Sequence, residues 1–212
     1  MIKTYRIIWV ITLAISLVYA KDRDILFEFK GAYFLSTSNT FKNIYGTGNA
    51  IYGAELTFKL YKDLYGWASI DFFTGNKLVI YRNTDSCANI STCCQVLSCE
   101  GYQTKVMFMP LAFGLKYFVP FANEGKWFTG DFYVGLGIEP TYLQSAPHGD
   151  SKDKLSNWGA GGIAKIGTYF NLPRNFFIDA FVDYSFVRVK QKKYTTNLAG
   201  CIFGASLGYR FS

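Results

Sequence analysis

Between Gly130 and Tyr142 the chain alternates with a period of two. Phe132, Val134, Leu136, Ile138 and Tyr142 share one parity with Gly130 and Pro140, whereas Asp131, Tyr133, Gly135, Gly137, Glu139 and Thr141 share the other. Successive side chains of a strand point to opposite faces, so this stretch has one apolar face and one face of polar and small residues. The pattern recurs near 24–35, 50–60, 65–73, 105–118, 127–142, 158–170, 176–186 and again over 203–211, giving eight stretches. The gaps between them alternate in length. Those at 61–64, 119–126 and 171–175 are short, and those at 36–49, 74–104, 143–157 and 187–197 are long. An even number of alternating strands, with short turns at one end and long loops at the other, marks a β-barrel that crosses a membrane. The predicted fold class is therefore all-β: an eight-stranded antiparallel up-and-down transmembrane barrel, with both chain ends on the short-turn side.

The charges follow the same parity. Glu28 with Lys30, Glu55 with Lys59, Asp131 with Glu139 and Asp179 with Asp183 each lie opposite the apolar set of their strand, as do Asp71, Lys116, Lys165 and Arg210. An eight-stranded barrel has an interior just wide enough to be filled by side chains. These twelve residues are predicted to point into it and to neutralise one another as a salt-bridged polar plug. Lys105 breaks the parity of its strand and is placed above the membrane. Aromatic residues crowd the short turns: Tyr65, Trp67, Tyr117, Phe118, Trp127, Phe128, Tyr169, Phe170, Phe176 and Phe177. Such rings favour the headgroup region, so a girdle is expected there.

Composition agrees with a protein whose outside is apolar. Half of the 212 residues are hydrophobic and 19% are aromatic, but only 17% are charged, against about 25% in soluble domains. Residues 1–20 read as a cleaved secretory signal. Lys3 and Arg6 form a positive start, Ile7 to Val18 an apolar centre too short to span a bilayer, and Val18-Tyr19-Ala20 a small-x-small cleavage site. Residues 21–212 then form one barrel domain. The net charge of +7 becomes +5 once Lys3 and Arg6 are removed. That mild basicity suits anionic lipid or polysaccharide, and export removes the chain from nucleic acid.

The mature chain resembles the small eight-stranded outer-membrane barrels, the OmpW, OmpX and OmpA-barrel relatives grouped as a porin-like outer-membrane β-barrel domain. The resemblance rests on Pro110-Leu-Ala-Phe-Gly-Leu-Lys-Tyr117, on Tyr133-Val-Gly-Leu-Gly137 and on the closing Leu207-Gly-Tyr-Arg-Phe211. The last is similar to the C-terminal signal read by the barrel-assembly machinery, carried here by Leu207, Tyr209 and Phe211, with Ser212 displacing the usual terminal aromatic. The resemblance implies the outer membrane of a Gram-negative bacterium as location. It implies outer-membrane lipid, lipopolysaccharide and the assembly machinery as partners. A filled barrel of this kind is at most a narrow channel for small or hydrophobic solutes in the OmpW manner.

Other residue groups suggest chemistry. Cys87, Cys93, Cys94 and Cys99 all fall in the longest gap. In an oxidising compartment they read as disulfides. The adjacent pair is disfavoured as a bond, which leaves Cys87–Cys93 with Cys94–Cys99, or Cys87–Cys94 with Cys93–Cys99; bridging to other cysteine-rich envelope proteins is a third arrangement. Neither a CxxC spacing nor a histidine accompanies them, so no metal or cofactor is expected. The only histidine, His148, sits in Pro147-His-Gly-Asp150, and no Gly-x-Ser-x-Gly occurs, so no enzyme activity is expected. Cys201 falls on the lipid-facing parity as a lone thiol. Arg188, Lys190, Lys192 and Lys193 place positive charge in the last long gap. A basic loop there suits lipopolysaccharide phosphates or an anionic host glycan. The functional expectation is a structural or surface-interacting, adhesin-like role through the loops.

Overall fold

A computed structural model of the chain describes residues 24–38, 42, 48–80, 101–122, 129–146, 155–190 and 195–211, with side chains described at all of these except 75–80, 101–105, 122, 145–146, 155, 190 and 195–196. Ten strands run β1 (Ile25–Ser36), β2 (Gly48–Tyr61), β3 (Leu64–Ile80), β4 (Gly101–Ala122), β5 (Thr129–Ile138), β6 (Thr141–Ala146), β7 (Leu155–Asn171), β8 (Phe176–Lys190), β9 (Thr195–Asn197) and β10 (Gly200–Phe211). All pair antiparallel, and β1 pairs with both β2 and β10, which closes the ring. Closure leaves no strand edge facing lipid, where an unpaired backbone group would be costly.

The ten segments make eight staves. β5 and β6 pair with β4 in a single register, with Phe113 opposite Ile138 and Pro110 opposite Thr141, and they pair with β7 in the same way. The interruption falls at Pro140, which has no N–H to offer the ladder. Around it the bonding continues. Leu111 donates its N–H to the Pro140 carbonyl at 2.9 Å, and Glu139 and Gly161 exchange N–H···O bonds of 3.0 and 3.1 Å. β9 and β10 likewise run along β8 in one register, bridged by the Leu198 N–H on the Val187 carbonyl at 2.8 Å. The eight-stranded barrel read from the alternation is the fold.

The parity reading holds along the strands and assigns the faces. Outward residues are large and apolar and stand exposed, among them Phe29, Tyr52, Phe113, Val134, Leu136, Ile166 and Leu207. Inward residues are buried, Glu28, Glu55, Lys116 and Asp183 included. A water-soluble sheet would reverse this arrangement, because exposed apolar patches of such extent are not tolerated in water.

Three expectations are corrected. First, several strands outlast the apolar alternation at the long-loop end. β3 and β4 pair up to Ile80 and Gly101, β6 and β7 to Ser145 and Leu155, and β8 and β9 to Lys190 and Thr195. Backbone pairing continues there after the outward side chains have ceased to be apolar, as at Gln144 on β6 and Arg188 on β8. Second, half of the presumed aromatic girdle lies inside. Trp67, Phe118, Tyr169 and Phe177 are buried and Tyr65 packs on Phe118, whereas Tyr117 and Phe176 face out. Neighbours in sequence at a turn have opposite parity, so a cluster of rings divides between the two faces. Third, the interior is not wholly polar. Its long-loop end is filled by apolar side chains such as Phe34, Ile51, Phe73, Phe108, Leu143 and Val187, and its short-turn end by rings that stack, with Phe118 and Tyr169 centroids 5.3 Å apart. The charges lie between these two caps. The proposed signal segment 1–20, Trp127, Phe128 and Ser212 lie outside the described residues.

The barrel closes through a close approach at the β1–β10 seam. A Cβ on Gly204 would stand 2.2 Å from the Gly31 carbonyl oxygen and 2.7 Å from Ala32 Cα, whereas one on Gly31 would meet nothing within 4 Å. Gly204→Val is expected to destabilise the closed barrel by about 1–3 kcal/mol through overpacking, while Gly31→Val leaves it unchanged. Urea unfolding in detergent micelles, followed by the gel-mobility shift of the folded form, checks both.

Candidate functional site: the buried charge belt and the basic loop end

Seven of the eight staves contribute charge to a belt across the middle of the barrel, and β10 adds the Ser206 hydroxyl. Three lysines and six carboxylates are buried: Lys30, Lys116 and Lys165 with Glu28, Glu55, Asp71, Glu139, Asp179 and Asp183. Glu55 on β2 is the hub. Lys30 and Lys165 reach its carboxylate at 3.4 and 3.0 Å, and Lys116 donates to its other oxygen. Each lysine also has a second acid: Asp71 lies 3.1 Å from Lys30, Glu28 3.8 Å from Lys116 and Asp183 2.6 Å from Lys165. Lys165 and Asp183 are direct cross-strand partners.

Aromatic rings complete the lysine sites. The Lys116 ammonium lies 4.3 Å from the Tyr133 ring centroid and 5.4 Å from that of Tyr169. Lys165 stands 4.6 Å over Trp67, and Lys30 5.8 Å from Phe181. A desolvated cation gains from the negative face of a ring as well as from its acid. Tyr169 also relays hydrogen bonds, accepting from Lys116 and donating to Glu28, each at 3.0 Å. Ser206 donates to the other Glu28 oxygen.

The belt departs from the twelve-residue expectation in two ways. Glu139 and Asp179 are buried but make no ion pair among the described residues. Ser185 donates to Glu139 at 2.9 Å and Tyr133 to Asp179 at 2.9 Å, and the second oxygen of each carboxylate has no hydrogen-bond partner there. The acids outnumber the bases in the interior, so hydroxyl groups serve where no lysine reaches. Lys59, Asp131 and Arg210 point inward by parity but stand at the short-turn mouth, partly exposed, as the pairs Lys59–Asp24 and Arg210–Asp131, both 3.5 Å. Tyr133, Tyr169, Trp67, Ser185 and Ser206 were missed as site residues. Their signal was parity, since each lies on the charged face of its strand.

At the long-loop end, Arg188 is exposed on the outer face with its guanidinium 5.1 Å from the Phe186 ring centroid. Arg188 and Lys190 belong to β8 rather than to a loop, paired with Asn197 and Thr195. Lys192 and Lys193 lie outside the described residues, as do His148 and the four cysteines Cys87, Cys93, Cys94 and Cys99. Cys201 lies on β10 with its thiol free, half-buried on the outward parity. Leu207, Tyr209 and Phe211 all lie on the outward parity of β10, and the Tyr209 and Phe211 rings meet edge-on at 4.8 Å.

Comparison with solved structures places this geometry among known barrels. The outer membrane protein OprG from Pseudomonas aeruginosa superposes with a TM-score of 0.55 at 13% identity, over 89% of this chain and 95% of that one. Neisserial surface protein A superposes with a TM-score of 0.50 at 12% identity, over 90% and 98%. No protein-family model matches the chain, and no curated protein matches its sequence. At such identities the likeness shows the fold, and that fold is the small eight-stranded barrel found in outer-membrane proteins.

Removing the hub and removing a peripheral donor are expected to differ. Glu55→Leu leaves three ammonium groups without their shared acid and should cost about 3–5 kcal/mol. Ser185→Ala removes one hydroxyl donor from Glu139 and should cost about 1–3 kcal/mol. Urea titration of the folded barrel in micelles measures both.

Proposed function

We propose that this chain is an integral outer-membrane barrel with a structural or surface-interacting, adhesin-like role, exposing its long-loop end and offering positive charge there. The observation that carries this reading is the filled interior. A solute entering from the loop end meets Phe34, Phe73 and Phe108, then the ion-paired belt, then the stacked rings of Phe118 and Tyr169. The narrow-channel alternative needs a way past all three, and nothing in the packing favours it. The belt also suits stability better than catalysis, because its carboxylates are sealed from substrate; the chain is read as having no enzyme activity.

Placement in the membrane is supported by the exposed apolar outer face and by the fold's occurrence in outer-membrane proteins. The partners that follow are outer-membrane lipid and lipopolysaccharide, the barrel-assembly machinery acting on the Leu207–Phe211 end, and a host surface or cysteine-rich envelope proteins met by the loops. Export by residues 1–20 and disulfide formation by Cys87, Cys93, Cys94 and Cys99 belong to the same reading. Arg188, Lys190, Lys192 and Lys193 are the residues that would meet an anionic glycan or a lipid A phosphate.

Two measurements test it. In planar bilayers the protein is expected to give no steady conductance, and a persistent ohmic channel would favour the alternative. Proteoliposomes should be retained on a sulfated-glycan column, with retention falling severalfold when the four basic residues are changed to Gln; unchanged retention would remove the basic end from the account.

A further inference from the structure

The short-turn mouth holds a small polar pocket, separate from the charge belt. Its volume is about 110 Å³, and its lining includes Asp63, Tyr65, Phe118, Asp131 and Arg210, with Leu26 beside them. Asp131 comes from β5 and Arg210 from β10, staves that no backbone ladder joins, so the pocket exists only in the closed ring. The Phe118 N–H bonds the Asp63 carbonyl at 2.9 Å, which ties the turn between β2 and β3 to β4. Phe118 also stacks on Tyr169 and so separates the pocket from the belt.

The charges in the pocket do not balance. Two carboxylates face one guanidinium, and Arg210 meets Asp131 through a single nitrogen at 3.5 Å. The nearby lysines are engaged elsewhere, Lys59 with Asp24 at 3.5 Å and Lys62 over the Tyr61 ring at 5.3 Å. Asp63 has no ion pair among the described residues. The belt shows what a setting of acid and ring holds in this barrel. Lys116 lies with Glu55 and the Tyr133 ring, Lys165 with Asp183 and Trp67, and Lys30 with Asp71 and Phe181. The pocket has the same components, two acids beside the Tyr65 and Phe118 rings, whose centroids are 4.5 Å apart, and no lysine lines it.

We propose that this pocket binds a small primary ammonium group entering from the short-turn side. The ammonium donates to Asp63 and Asp131 and rests against the Tyr65 ring, which brings the local charge to zero. A water takes about 30 Å³, so the volume admits about four groups of that size, an ethanolamine rather than a choline. A trimethylammonium also has no N–H to donate. Free amines and the ethanolamine headgroup of a phospholipid present the same chemistry.

The test follows the Phe118 amide by NMR in the full chain, held in maltoside micelles at pH 7 and titrated with ethanolamine. A saturable shift is expected, with a Kd on the order of 1 mM, because the site is partly open and its ion pairs are screened. Asp63→Asn removes the charge at constant volume, and Tyr65→Leu removes the ring. Each should weaken binding at least about fivefold, in variants whose gel-mobility shift shows that they are folded. Arg174→Gln, exposed at the β7–β8 turn outside the pocket, should leave it unchanged. In nanodiscs of palmitoyl-oleoyl phosphatidylethanolamine without added amine, the same shift would assign the ligand to the headgroup, and its absence there would assign it to a free amine. A shift that never saturates, that equal sodium chloride or choline reproduces, or that Asp63→Asn leaves intact overturns the proposal. So does binding that appears only in Lys126→Gln, which would give the pocket to a lysine of the same chain.

Discussion

The rest of the structure depends on a negative charge held in a dry interior. Glu55 is almost fully buried, and so are the three lysines that surround it. Transfer of such groups from water is expensive, and the cost is recovered only where each is paired in good geometry. The barrel meets that condition by drawing partners from different staves. Lys30 on β1 finds Glu55 on the neighbouring β2, and Lys165 on β7 finds Asp183 on the neighbouring β8, but Lys116 from β4 and Lys165 from β7 reach Glu55 only when the sheet has rolled up. The pairs of Lys116 and Lys165 with Glu55 are thus a product of the rolled sheet, and they hold side chains of staves that no backbone ladder joins directly. Apolar and aromatic caps above and below keep water from competing for the same groups.

Much of this architecture was legible in the chain. A period of two is a direct consequence of strand geometry, and a membrane-spanning strand must keep its apolar parity for the width of the hydrocarbon. That constraint fixed the staves and assigned Glu28, Lys30, Glu55, Lys116, Lys165 and Asp183 to the inside. It faded where the constraint ends. Above the hydrocarbon the strands of the β3–β4 hairpin continue through Gly75, Asn76 and Lys77, where backbone bonds persist without any demand on side-chain polarity.

Composition was a weaker guide than parity. The rings near the short turns looked like one population when sorted by residue type, but Tyr117 and Phe118 are adjacent and point opposite ways. The pairings were not legible at all. That Glu139 takes its hydrogen bond from Ser185, 46 residues away, depends on stave order and stagger around the ring, which no local pattern encodes. The same holds for Tyr133 with Asp179, and for Arg210 meeting Asp131 at the mouth rather than in the belt.

One detail of the register affects how the barrel comes together. Glu28 and Glu55 are direct cross-strand neighbours in the β1–β2 hairpin, and like charges directly opposite are destabilising. The hairpin is therefore at odds with itself when it stands alone. Lys116, which meets both acids, arrives from β4, and Ser206, which satisfies Glu28 from the other side, arrives with the last strand. Of these two acids, Lys30 of the same hairpin meets Glu55 alone. Glu28 is therefore relieved only when distant parts of the chain are in correct alignment, and a slip of one residue in either strand would turn that strand's acid outward into lipid. The repulsion acts as a proofreading device: it withholds stability from partial or misaligned sheets and releases it to the one register in which the ring is whole.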